Sequence, residues 1–132
     1  MKRELLVFVL GGARSGKSAL AEARVTALAP PWIYIATAHA FDDEMRARIA
    51  MHRDRRDMRW RTIEAPHDLV AALRDAPANA PVLVDCLTLW LTNRLLADAD
   101  LASERARLVE ALAARDAPTF VVSNEVGLGI VP

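Results

Sequence analysis

Residues 11–18 read Gly11-Gly12-Ala13-Arg14-Ser15-Gly16-Lys17-Ser18. The spacing is that of the phosphate-binding pattern G-x-x-x-x-G-K-S/T, matched at each specified position. In front of it, Leu5–Leu10 is an unbroken apolar run, expected as a central parallel strand covered on both faces. Behind it, residues 17–28 are rich in Ala and Glu and predict a helix, which Pro30-Pro31 ends. In that setting the glycines let backbone N–H groups wrap around a phosphate without Cβ clashes, and the helix aims its positive end at the same anion. Lys17 is expected to reach the β- and γ-phosphates of a nucleotide, and Ser18 to ligate Mg2+.

Working outward, residues 32–36 (WIYIA) predict a second strand and residues 42–59 a helix with acids in its first turn and arginines later. Residues 60–64 suit a short strand, 68–74 a helix, and 82–84 a third clear strand ending at Asp85. Helical patterns follow at 88–96 and 103–114, and Pro118 introduces a strand at 119–123. Alternating strands and helices indicate a three-layer α/β domain with a mostly parallel sheet and right-handed crossovers. Ligands of such sheets bind outside the carboxyl ends of the strands. The glycine loop, the stretch after Ala36, Asp85 and the Asn124-Glu125 segment are all predicted to fall there.

A chain of 132 residues fits one domain, 1–132. Seventeen basic residues balance seventeen acidic ones, which removes the usual electrostatic case for nucleic-acid binding. Cys86 is the lone cysteine, so an internal disulfide and a cysteine-cluster zinc site are both excluded, and a reducing cytoplasmic setting is expected. The apolar run at 5–10 is too short for a signal peptide core, and no stretch approaches the roughly 20 apolar residues that span a bilayer.

Further chemistry is carried by two stretches. Val82-Leu83-Val84-Asp85 has the form of a Walker B strand, apolar and ending in a carboxylate that orders a Mg2+ shell. Arg48, His52 and Arg56 share one helix face at i, i+4, i+8. Flanking guanidinium groups favour a neutral imidazole, which can attack phosphorus, while the arginines bind displaced phosphates. A solvated basic face with an incidental histidine accounts for the same pattern. His39 and His67 read as surface loop residues, and Trp32, Trp60 and Trp90 as packing groups. Asp85 is followed by Cys86-Leu87-Thr88, and Ser123-Asn124-Glu125-Val126 lacks the lysine of a guanine-reading Asn-Lys-x-Asp. A small-molecule kinase or a nucleotidyltransferase is the class left.

Several stretches then read together: GGARSGKS with Ala21-Glu22; Tyr34-Ile35-Ala36-Thr37; Asp43-Glu44-Met45 with Arg48-Ile49 and His52; Trp60-Arg61-Thr62 with Glu64; Val84-Asp85-Cys86-Leu87-Thr88 with Asn93; and Ser123-Asn124-Glu125-Val126-Gly127 through Ile130-Val131-Pro132. In this order the chain resembles the bifunctional adenosylcobinamide kinase/adenosylcobinamide-phosphate guanylyltransferases of cobalamin biosynthesis. The resemblance implies a RecA-like P-loop NTPase fold and two reactions. One is phosphorylation of adenosylcobinamide by ATP or GTP. The other is transfer of GMP from GTP to the phosphorylated corrinoid through a GMP-histidine, releasing pyrophosphate. It implies His52 as nucleophile and Lys17 as its catalytic companion. Gly11, Gly12, Ala13, Arg14, Ser15, Gly16, Lys17 and Ser18 would hold phosphates. Ala36, Thr37, Ala38, Arg53, Asp54, Arg55, Arg56, Glu64 and Asp85 would line the nucleotide site, with Ser18 and Asp85 toward Mg2+. Homo-oligomers, trimers among them, are implied as well. Family members continue past Pro132 with a helix rich in Arg and Asn and a final strand, so residues 1–132 are expected to lack both. A kinase of another small molecule and a non-catalytic nucleotide-binding remnant are the alternatives.

Overall fold

The computed structural model describes residues 6–11, 16–37 and 57–124, and of Lys17, Ser18 and Asn124 the backbone alone. In chain order the elements are β1 (Leu6–Gly11), α1 (Lys17–Thr26), β2 (Trp32–Ala36), β3 (Trp60–Glu64), α2 (Leu69–Asp75), β4 (Val82–Asp85), α3 (Leu87–Leu96), α4 (Leu101–Ala113) and β5 (Thr119–Asn124). The five strands form one sheet in the order β1-β5-β4-β2-β3, and each described pairing is parallel. The alternation of strand and helix predicts this, because parallel neighbours need crossovers.

Side chains alternate across each strand, and the two faces carry separate cores. Trp32, Tyr34, Leu83, Phe120 and Val122 face α1, where Ala21 and Val25 are fully buried. Ile33, Ile35, Val82, Val84 and Val121 face the other way, onto Leu69, Leu73, Trp90 and Leu108 of α2, α3 and α4. Each fully buried Leu, Ile or Val contributes about 1.5–3 kcal/mol relative to an exposed one. Trp32 and Trp90 are buried, as expected of packing groups, whereas Trp60 is half-buried on edge strand β3, 5.3 Å from the Trp32 ring.

Strand β1 departs from expectation. Among the described residues it pairs with β5 alone and forms the edge of the sheet. Val9 is buried on the α1 side, but Leu6, Phe8 and Leu10 are 42%, 50% and 62% exposed. Phe8 rims an apolar groove of about 180 Å³ with Leu73, Leu108, Val109 and Leu112. An unbroken apolar run signals burial on both faces but carries no information about lateral position in a sheet.

Other boundaries shift for local reasons. Helix α1 stops at Thr26, and the Leu28 carbonyl accepts from Trp32 Nε1 at 3.0 Å. The helix expected over 42–59 does not reach its predicted end. Residues 57–59 form a turn in which the Asp57 carboxylate accepts from the Arg59 backbone N–H at 2.9 Å and from its guanidinium, a local bond that competes with helix. Helix α4 begins two residues early because Asp100 caps it, accepting from Ser103 N at 3.3 Å.

At the amino end of the sheet, Arg115 is 4% exposed. Its guanidinium donates to the carbonyls of Leu73 (3.2 Å), Pro77 (2.9 Å) and Ala80, and to Thr119 Oγ1 (3.1 Å). Burial pulls its pKa below the usual arginine value, opposed by the nearby Asp116.

Candidate functional site

The chemistry-bearing segments meet at the carboxyl edge of the sheet, and the strand register shows how. Gly11 closes β1 opposite Asn124 of β5. Ala36 closes β2 between Glu64 of β3 and Asp85 of β4. Asp85 in turn pairs with Val122 of β5. Of the segments expected at this edge, the described ones are brought together there. Gly12–Ser15, Ala38, His39, Arg48, His52, Arg53, Asp54, Arg55, Arg56 and Glu125 lie outside the described residues.

Gly16 precedes α1 with φ +76° and ψ 16°, a left-handed conformation that an L side chain rarely adopts. Among the described residues a Cβ there would meet no atom within 4 Å, and it is the backbone conformation that favours glycine. Its carbonyl accepts from Leu20 N at 3.1 Å, setting the first turn of α1. That turn has no acidic residue and no side-chain cap.

Around Asp85 the structure builds a polar clamp. Tyr34, 5% exposed, donates from Oη to Asp85 Oδ2 at 2.7 Å. The Thr37 N–H donates to the Asp85 carbonyl at 3.1 Å. Thr37 Oγ1 donates to the Cys86 carbonyl at 2.8 Å and accepts from the Cys86 N–H at 2.9 Å. Asn93 Nδ2 in α3 donates to the carbonyls of Thr37 (2.8 Å) and Pro66 (3.0 Å), so it ties together the exits of β2 and β3. Thr37 and Asn93 are buried, and buried polar groups of this kind need their partners in full. The exit of β4 is also held from the helix side: Cys86 Sγ accepts from Leu89 N at 3.3 Å and caps α3. Thr88 Oγ1 and Ser123 Oγ, 2.8 Å apart, join α3 to the end of β5.

Asp85 is partly exposed and Glu64 exposed, each at the carboxyl end of its strand. Thr37, by contrast, is wholly buried, and its hydroxyl is bonded to Cys86 through both its proton and its oxygen. His67 is more than a surface loop residue. It is half-buried, its carbonyl accepts from Trp90 Nε1 at 2.9 Å, and its Nδ1 lies 3.1 Å from Arg94 Nη1. A guanidinium only donates, so Nδ1 accepts there. Arg94 also pairs with Glu104, which Arg107 meets at 3.1 Å.

Tyr34 and Asn93 have positioning contacts that the sequence reading does not assign. Asn93 is traceable after the fact: it lies three residues after Trp90, on the buried face of α3. A polar side chain at that position demands buried partners.

Comparison with known proteins agrees with this geometry. The family model described as cobinamide kinase / cobinamide phosphate guanyltransferase matches residues 7–132. The bifunctional adenosylcobalamin biosynthesis protein CobP of Pseudomonas aeruginosa is 54% identical over 127 residues, which cover 94% of this chain and 73% of that protein. The bifunctional adenosylcobalamin biosynthesis protein CobU of Salmonella typhimurium is 40% identical over 144 aligned positions, covering 97% of this chain and 79% of that protein. A protein of the same name from Escherichia coli is 38% identical with the same coverage. By this match over residues 7–132 and these identities, this chain belongs to the cobinamide kinase / cobinamide phosphate guanyltransferase family.

Proposed function

We propose that the carboxyl edge of the sheet holds one nucleoside triphosphate for both family reactions, with its phosphates on Gly11–Ser18 and with His52 as nucleophile. In the kinase step the hydroxyl oxygen of adenosylcobinamide attacks the γ-phosphorus of ATP or GTP. A P–O bond forms, the bond to the β-phosphate oxygen breaks, and the nucleoside diphosphate leaves. In the guanylyl step a neutral His52 nitrogen attacks the α-phosphorus of GTP and expels pyrophosphate. The phosphate oxygen of the corrinoid then attacks the same phosphorus, releasing the imidazole and giving adenosylcobinamide-GDP. Lys17 balances the charge on the β- and γ-phosphates, and the first-turn N–H groups of α1 bind the same oxygens. Arg53, Asp54, Arg55, Arg56, Glu64 and the Ala36–Ala38 segment line the remaining walls.

The donor set suits Mg2+. A hydroxyl at Ser18 and a carboxylate at Asp85 are hard oxygen ligands, and Mg2+ characteristically takes one or two protein oxygens plus phosphates and water. When bound, Mg2+ neutralises charge on the phosphate oxygens.

The observation that carries this reading is the register placing Gly11, Ala36, Glu64 and Asp85 at one edge. Its test is incubation with GTP labelled at the α-phosphate. The expected product is a protein–GMP adduct that is acid-labile and base-stable, lost in His52→Ala. Label retained in that variant rejects His52; γ-phosphate transfer without any adduct points to a kinase alone. A homo-oligomer, a trimer by family resemblance, belongs to the same proposal and is checked by light scattering. So does a cytoplasmic location; among the described residues no helix is long and apolar enough to cross a membrane.

A further inference from the structure

The Asp85 carboxylate is met from inside the protein by the hydroxyl of Tyr34. Tyr34 sits two residues before the end of β2, opposite Leu83, and its ring points into the core on the α1 side. Trp60 packs edge-on against it at 6.2 Å, so the ring direction is set by packing. The hydroxyl projects from that ring to Asp85 Oδ2 at 2.7 Å, within the range of a charge-assisted hydrogen bond. The backbone of the same residue is fixed independently by the Thr37 N–H, and the next peptide by the Thr37 hydroxyl. The Tyr34 bond acts on the carboxylate itself, and the Thr37 bonds act on the main chain beside it.

We infer that Tyr34 is a positioning residue for the metal–nucleotide complex: it orients the Asp85 carboxylate toward the ion that nucleotide phosphates share, without touching nucleotide itself. The inference rests on the assignment of Asp85 to Mg2+ made above. Partners of this kind, acting through a metal ligand, change metal affinity by about 10–100-fold when removed.

The test uses the whole chain, with Mn2+ as the probe. Mn2+ binding is followed by electron paramagnetic resonance in the presence of saturating GTP, for wild type, Tyr34→Phe and Asp85→Asn, with GTP affinity in EDTA and melting temperature measured alongside. The expected result is an approximately 10-fold weaker Mn2+ affinity in Tyr34→Phe, with metal-free GTP affinity and melting temperature close to wild type, and a loss at least as large in Asp85→Asn. If Asp85→Asn binds Mn2+ like wild type, the Asp85 assignment fails and the inference with it. If Asp85→Asn is impaired and Tyr34→Phe is not, the inference alone is overturned. Equal loss of metal binding, metal-free GTP binding and thermal stability in Tyr34→Phe marks a merely structural hydroxyl and also overturns it.

Discussion

The two ends of the sheet are both closed by buried polar side chains, and they are closed for different purposes. At the amino end, Arg115 gathers the carbonyls of Leu73, Pro77 and Ala80 and the Thr119 hydroxyl around one guanidinium. Those partners belong to the α2–β4 connection and the start of β5. At the carboxyl end, Thr37, Asn93 and Tyr34 also bind backbone and side chain, but their partners are the exits of β2, β3 and β4, with Asp85 among them. The amino-end network points inward and finishes the fold. The carboxyl-end network fixes a carboxylate and the strand exits at the edge where the proposed nucleotide site lies. A charge buried among carbonyls therefore reads as stability here, and a hydroxyl behind a partly exposed acid reads as function.

That contrast is sharpest in Arg115→Met. The apolar stem is kept, and three carbonyls and a hydroxyl lose a donor. A loss of about 3 kcal/mol is expected, seen as a fall of roughly 10 °C in melting temperature. Kinase and guanylyltransferase rates per folded molecule should stay at the wild-type level. A variant that is stable but catalytically impaired would break the division between the two ends.

Thr37→Val should show a smaller effect of mixed character. The methyl replaces a hydroxyl that serves Cys86 N–H and C=O, so about 1–3 kcal/mol of stability is lost in chemical denaturation. Both activities should fall beyond what unfolding explains, because the strand exits beside Asp85 shift. Thr37→Ser keeps the hydroxyl and should recover most of the activity; a serine variant as poor as the valine one would mean that the methyl's packing, not the hydroxyl, matters.

The smallest effect lies on the surface of the amino end, just before β3. In the exposed turn after residue 56, the Arg59 side-chain hydrogen bonds and then its backbone N–H hold the Asp57 carboxyl below the usual carboxylate range. A depressed folded-state pKa makes a contribution that is present above the unfolded pKa and is lost as pH falls through the folded one. Wild type should therefore hold a slight stability advantage over Asp57→Asn at neutral pH, and the advantage should fade as pH falls below the ordinary carboxylate pKa. A difference at neutral pH that survives high salt would give this surface pair more weight than exposed ion pairs carry.

Much of the architecture is local in origin and was legible in the chain. Residues 82–85 and 119–124 declare themselves as buried strands by composition, and the cap at Asp100 is a short-range pattern visible in retrospect. The turn at 57–59 was misjudged because acid-then-base order along 42–59 fits a helix, while the Asp57–Arg59 bond competes with it. The edge position of β1 was hidden for a different reason: Leu5–Leu10 has the hydrophobicity of a central strand, and lateral order in a sheet is set by which crossovers the whole chain makes.

By itself the sequence determined that a glycine loop stands before a helix at Lys17, that strands alternate with helices, and that an acid ends the Val82–Asp85 strand. These follow from steric and hydrophobic rules acting over a few residues. Only the tertiary structure decided that Tyr34 would meet Asp85, that Thr37 would enclose the Cys86 peptide, that Asn93 would bridge two strand exits, and that Arg115 would collect three carbonyls. Those partners lie tens of residues apart in the chain. The parallel register brings Tyr34 and Thr37 to Asp85 and Cys86, and the packing of helices and loops on the sheet places Asn93 and Arg115. Both are properties of the assembled sheet that no short stretch of sequence contains.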